Sequence, residues 1–284
     1  MQRNIDIRPV IMDDFSALQS LLSLSFHTHR HLDWRSPQDW LGHQPFWVLT
    51  EGEKLLAALA CPSDPPELNW IRLFIASPFV NHNEAWKLLF SKVIENLLPE
   101  QQNLMIAAVS LKDWFTELLT ANGFMHFQDI VVLELKSQPT RRRIDPDIHI
   151  RIMQKADLET VKKIDHASFE PLWRNSLDGI QHSFDQSAYA TVAVLNGKVV
   201  GYQICTQSPF SAHLARLAVL PGNQRKGIGY ALVYDLIEYF TANKIYQISV
   251  NTQNNNFSSL SLYEKIGFSR TDESFPVYIY KDAQ

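Results

Sequence analysis

The chain has 284 residues, 45% of them apolar and 20% charged, with a formal net charge of −4. That length accommodates about two domains, each able to bury a core, and the composition excludes a disordered chain. The mild acid excess argues against a nucleic-acid binder and against a binder of anionic membranes.

Residues 1–11 carry Arg3, Asp6 and Arg8 and lack the apolar core of a signal segment. No apolar run reaches the ~18 residues that span a bilayer. Cys61 and Cys205, the two cysteines, lie in apolar, strand-like runs. They read as small buried core residues, not as a disulfide or a metal site. A cytoplasmic location is expected, with no membrane and no nucleic-acid partner.

The first element is a strand from Ile5, followed by a helix with apolar residues at i, i+3 and i+4. The same pattern returns from Ile148. Ile5, Ile7, Arg8, Asp14, Ser25 and Phe26 match Ile148, Ile150, Arg151, Asp157, Ser168 and Phe169 in a single register. Further along, Cys61 answers Cys205, "IRLFIASP" from Ile71 answers "ARLAVLP" from Ala215, and "ANGF" ending at Phe124 answers "KIGF" ending at Phe268. A register kept through most of each half reads as a tandem duplication. The expected division is 1–137, a linker over 138–147, and 148–284. Arg141, Arg142 and Arg143 stand beside Pro139 and Pro146 and read as part of a solvated linker.

In the second copy a hairpin is expected over 190–195 and 199–205, turning at Asn196 and Gly197. A strand over 214–220 follows, then a helix over 229–241, a strand over 246–250, a helix over 258–266 and a strand over 277–280. The fold class is α/β, a mixed α+β layer structure.

Between that strand and helix the chain reads "PGNQRKGIGYA". Unpaired N–H groups at a helix start suit an anion, and glycines at 227 and 229 let the backbone approach a phosphate. Arg225 and Lys226 add charge at the rim. The stretch is not a Walker loop, since Ile228-Gly229-Tyr230 stands where Lys-Ser/Thr would be needed. It also lacks the third glycine of a dinucleotide fingerprint. A plain strand–helix turn remains the competing reading of these residues alone.

The turn in its surroundings, "RLAVLPGNQRKGIG" followed by Asn256 and "LYEKIGF" ending at Phe268, resembles the GCN5-related N-acetyltransferase (GNAT) superfamily. The resemblance covers roughly residues 148–281. It implies two tandem GNAT-like domains, each a mostly antiparallel sheet with helices on both faces. It implies acetyl-coenzyme A as cofactor, its pyrophosphate held by the turn of Gln224, Arg225, Lys226, Gly227, Ile228, Gly229 and Tyr230. Leu217, Ala218 and Val219 would lie where the strand splays from its neighbour, pairing with the pantetheine arm. Asn256 would cap its helix or hold a cofactor amide.

Tyr263 would be the general acid, since a phenol near pKa ~10 can protonate a thiolate whose thiol titrates near ~8.5. Core packing is the competing role for that ring. The glutamate that family members acetylating ribosomal-protein N-termini carry before the motif asparagine has no counterpart here, because Ser249 or Asn251 falls there. His213 is the candidate base, with Glu170 and Asp185 behind it. The implied reaction is acetyl transfer to a primary amine of a peptide N-terminus, a lysine or a small molecule. The alternative is a noncatalytic acyl-CoA sensor or scaffold. A lysine amine is about one part in a thousand neutral at pH 7.4 and an α-amine about a quarter to a third, so a site without a strong base favours the latter.

In the first copy Val80 stands in place of Gln224, Asn83 of Gly227, Ala85 of Gly229, Lys112 of Asn256 and Leu119 of Tyr263. The expectation is a degenerate, noncatalytic repeat without the cofactor motif, packing on the second repeat within one chain, compatible with a monomer. Six of the seven tryptophans (Trp34, Trp40, Trp47, Trp70, Trp86 and Trp114) fall in it, to fill its core or line a groove.

Overall fold

The computed structural model describes residues 5–99, 101, 103–136 and 145–282; most of the expected linker, with Arg141 to Arg143, lies outside them. The chain forms two compact units. The first is Met1–Phe127 with Phe275–Gln284, the second Gln128–Ser274.

The first repeat contributes β1 (Ile5–Pro9), α1 (Phe15–Leu24), β2 (His27–Arg30), β3 (Phe46–Glu51), β4 (Lys54–Ala60), β5 (Asn69–Trp70), β6 (Leu73–Ala76), α2 (His82–Leu97), β7 (Met105–Val109), α3 (Asp113–Ala121) and β8 (Met125–Leu135). The second contributes β9 (Ile148–Ile152), α4 (Leu158–Ser168), α5 (Leu177–Asp185), β10 (Tyr189–Leu195), β11 (Lys198–Gln207), β12 (Ser211–Val219), α6 (Ile228–Ala242), β13 (Gln247–Gln253), α7 (Phe257–Ile266) and β14 (Phe268–Lys281).

In the first unit five antiparallel strands run in the order β1-β3-β4-β6-β2. After Lys54, β4 is apolar to its end because both its faces are covered. Ala57 and Leu59 pack with Trp86 and Leu89 of α2 and Leu118 of α3, while Ala58 and Ala60 pack with Leu18 and Leu21 of α1. In the second unit the order is β14-β8-β13-β12-β11-β10-β9, and from β8 to β9 the neighbours are antiparallel except for β12 and β13. Val233, Leu236 and Phe240 of α6 cover one face of this sheet, and α4 the other. The hairpin turn is as expected: Asn196 and Gly197 take φ of 51° and 74°, the left-handed pair a two-residue turn needs. Cys61 and Cys205 are buried, unpaired thiols.

The duplicated arginine and aspartate have a shared cause. Arg8 donates twice to Asp14 at 2.7 and 2.7 Å, and Asp14 accepts the Ile11 N–H at 2.9 Å. Arg151 donates twice to Asp157 at 2.7 and 2.8 Å, and Asp157 accepts the Gln154 N–H at 2.8 Å. Each fork ties a strand to the start of the following helix and holds the carboxyl below its usual range.

The units do not follow the division at 138–147. The strand expected at 277–280 for the second repeat is the end of a much longer β14, and there it pairs with β7 in the first unit, from Val277 opposite Val109 to Lys281 opposite Met105. Reciprocally, β8 of the first repeat pairs with β13 in the second unit, from Ser249 opposite Glu134 to Gln253 opposite Ile130. Apolar burial fixes both placements: Tyr278 enters the core around Trp86, and Val131 and Leu133 the core around Phe240. The polar run 268–274 shows no period-two apolar face, so the longer strand is invisible to pattern.

Candidate active site

β12 and β13 pair only from Ser211 opposite Gln247 to Leu214 opposite Val250. Beyond Leu214, β12 continues against β11 alone, to Val219 opposite Gly201. Leu220 donates its N–H to Val200 at 2.9 Å. By the alternation of an antiparallel ladder, the main-chain groups of Ala218 then point to β11, and those of Leu217 and Val219 to the side β13 has left. Of the expected triplet, Ala218 therefore offers nothing to that side. The Val219 carbonyl is already met by Ser168 Oγ and Gln224 Nε2, each at 3.1 Å.

The turn that follows is exposed from Gln224 to Gly227. Arg225 and Gly227 take φ of 62° and 85°, an uncommon left-handed conformation for an arginine. Gly227 is the N-cap of α6 and supplies no side-chain cap, so the Ile228, Gly229 and Tyr230 N–H groups form an open, positively polarised helix head. Backbone angle explains the first glycine, since a Cβ there would meet nothing within 4 Å. Space explains the second: a Cβ on Gly229 would sit 3.1 Å from Leu262 of α7. The Ile228 side chain is buried in the core with Ala193 and Val200, leaving its N–H as what it offers. Tyr230 stacks on Tyr234.

Asn256 spends its side chain locally. Its Oδ1 accepts the Ser259 N–H at 3.2 Å, capping α7, and its Nδ2 donates to Thr252 at 3.1 Å. Tyr263, 4% exposed, packs in the core with Cys205 and Phe268, and burial pushes its phenol up, so it remains a proton donor. Its hydroxyl has no hydrogen-bond partner among the described residues.

His213 stands on β12 in the last paired stretch before the splay. Its Nδ1 lies 2.9 Å from Ser249 Oγ on β13. Burial pushes its imidazole below the ordinary value, partly offset by a hydrogen bond with Asn251, so the ring is neutral near pH 7. Directly across β13 from Ser249 is Glu134 of β8, bonded to Lys136. This carboxylate comes from the first repeat, so no alignment of the second repeat alone reveals it. Glu170 is exposed at the head of a short 3-10 turn, and Asp185 is held by Gln181 at 2.8 Å on the outside of α5.

One further arrangement was not read from the sequence. Asp165 of α4, fully buried, accepts from Arg216 Nε at 2.8 Å, from the Asn175 N–H at 3.0 Å and from the Tyr202 hydroxyl. Arg216 also donates to the Trp173 carbonyl and lies 3.6 Å over the Phe169 ring. This pair fixes β12 one residue before Leu217. Its signal was the matched arginine of the repeats, Arg72, which pairs with Asp33 at 3.1 Å in the first unit.

The corresponding places in the first unit are filled. Asn81 caps α2, its side chain accepting the Asn83 and Glu84 N–H groups at 2.9 and 3.2 Å. The edge of β6, which matches the open edge of β12, is covered by β2, from His27 opposite Ala76 to Arg30 opposite Leu73.

Residues 158–268 match the model of the acetyltransferase (GNAT) family. The matched residues lie wholly within the second unit. Over 112 residues the chain is 30% identical to the spore coat polysaccharide biosynthesis protein SpsD of Bacillus subtilis (strain 168), a match spanning 39% of this chain and 37% of that protein. Solved GNAT folds match nearly the whole chain. A tandem GNAT protein from the clavulanic acid biosynthesis pathway superposes with a TM-score of 0.68 at 13% identity, covering 99% of each chain. A GCN5-related N-acetyltransferase from Sphaerobacter thermophilus gives 0.63 at 11%, covering 99% of this chain and 96% of that one. At such identities the likeness is one of fold, and it extends the GNAT architecture to both units. No helix among the described residues is long and apolar enough to cross a membrane.

Proposed function

We propose that the second unit is an acetyl-CoA-dependent N-acetyltransferase that delivers the acetyl group to a primary amine by direct attack on the thioester. One observation carries this reading: the open β12 edge leads into an uncapped helix head whose backbone bends at Arg225 and Gly227. Acetyl-CoA supplies the activated carbonyl. The Ile228, Gly229 and Tyr230 amides, with Arg225 and Lys226 at the rim, receive the paired phosphates. The N–H groups of Leu217 and Val219 pair with the pantetheine arm and polarise the carbonyl. Gln224 acts through its bond to Val219, and Asn256 by holding the start of α7.

His213, kept neutral and oriented by Ser249, takes the proton from the amine as the N–C bond forms. Tyr263 gives its proton to the sulfur as the C–S bond breaks. From reference values that transfer is uphill by about 2 kcal/mol, and burial of the phenol steepens it, which favours proton donation late, onto a nearly free thiolate. A peptide N-terminus, a lysine and a small amine all satisfy this chemistry, and a low-pKa amine does so with least help from a base.

The test is thiol release from acetyl-CoA with pooled peptides and small amines. Tyr263→Phe is expected to lower kcat by about a hundredfold or more with coenzyme A affinity nearly unchanged. Stabilisation by the cofactor without turnover on any acceptor would leave a sensor, not an enzyme. With an acceptor in hand, kcat/KM is expected to fall on the acid side below the ordinary histidine value of ~6.5, because burial lowers the His213 pKa. In His213→Gln that acid limb should vanish with the rate; a limb unchanged in the variant would assign the base elsewhere.

A further inference from the structure

We propose that the first unit carries a binding site of its own, for a small organic carboxylate with a flat apolar body. A cavity of about 340 Å³ opens between β2 and the head of α3, a size typical of small-molecule sites. Leu22, Leu111, Trp114 and Phe115 form its apolar wall, and the exposed cations Arg30 and Lys112 complete it. Among the described residues no acidic side chain lines it, in a chain whose net charge is −4. Neither cation forms an ion pair among the described residues.

Two further features bear on this site. The imidazole of His29 lies flat on Phe115, centroids 3.9 Å apart and 12° from parallel, which fixes both rings behind the wall. Lys112 is the N-cap of the nine-residue α3 and gives it no side-chain cap, which leaves helix amides beside the lysine.

A nucleotide thioester is not the expected occupant, because Asn81 closes the α2 head and β2 covers the β6 edge. The site is therefore independent of the acetyl-transfer reading. It also gives one of the six tryptophans of this repeat a role beyond filling the core.

The test uses the full chain, with phenylacetate as probe and phenylacetamide as its uncharged control. Binding is followed by calorimetry and by the indole N–H resonance of Trp114, assigned from its loss in Trp114→Phe. Phenylacetate is expected to bind saturably and shift that resonance, with the amide about tenfold weaker. Replacing both Arg30 and Lys112 by glutamine should cost the carboxylate about the same factor and leave the amide unaffected. Both residues are exposed, so the variant should fold. Coenzyme A should leave the resonance in place. Equal binding of acid and amide, a resonance that phenylacetate does not move, or displacement of phenylacetate by coenzyme A would each overturn the proposal.

Discussion

The heads of α2 and α6 hold corresponding positions in two copies of one architecture, and they are finished in opposite ways. α2 starts beneath the side chain of Asn81, and the strand beside it is paired along its edge by β2. α6 starts at a left-handed glycine with no cap, and its strand leaves a partnerless edge. A helix start has donors that must be met, so the first copy meets them internally while the second leaves them open for the proposed cofactor. Under that reading the first copy has not merely lost glycines: its own residues stand where the cofactor would.

The largest expected effect comes from separating the copies at the chain segment between them. A fragment ending near 140 lacks the β14 residues that pair with β7, and one starting near 145 lacks the β8 residues that pair with β13. Neither should give a cooperative thermal transition alone, whereas the two expressed together should. A second-repeat fragment that melts cooperatively by itself would show the exchanged strands to be dispensable.

Next in size is Gly227→Asp, which puts a carboxylate where the phosphates are proposed to bind. Coenzyme A affinity by calorimetry should fall about a hundredfold, or about 3 kcal/mol, from like-charge repulsion. Gly227→Asn suffers the same backbone strain without the charge and should lose much less.

The smallest effect expected is that of Asn81→Ala, a loss of about 1 kcal/mol of unfolding free energy in chemical denaturation. It should create no second coenzyme A site, because β2 still covers the neighbouring edge. Two equivalents bound in this variant would make the asparagine the sole barrier.

Much of this was legible in the sequence because its signals are local. The Asn196-Gly197 turn, the glycine-bearing loop and the repeated Arg–Asp forks each lie within a few residues, where steric and capping preferences act directly. Which strand lies beside β13 is a choice among distant partners, and period-two patterning cannot make it when the paired part of β8 is a continuous apolar run and the start of β14 is polar. Glu134 was hidden for the same reason, since its neighbour Ser249 lies in the other repeat. Nothing in the local pattern singles out Asp165, and only the fold reveals that it is buried under Arg216 and Tyr202.

The exchanged strands also govern timing. Met105–Val109 leave the ribosome long before Val277–Lys281, their partners in the first unit. At about 5–20 residues per second the wait is on the order of ten seconds or more. The half made first is thus the half completed last, and during that interval β7 presents an unmated edge that other nascent chains or chaperones could meet.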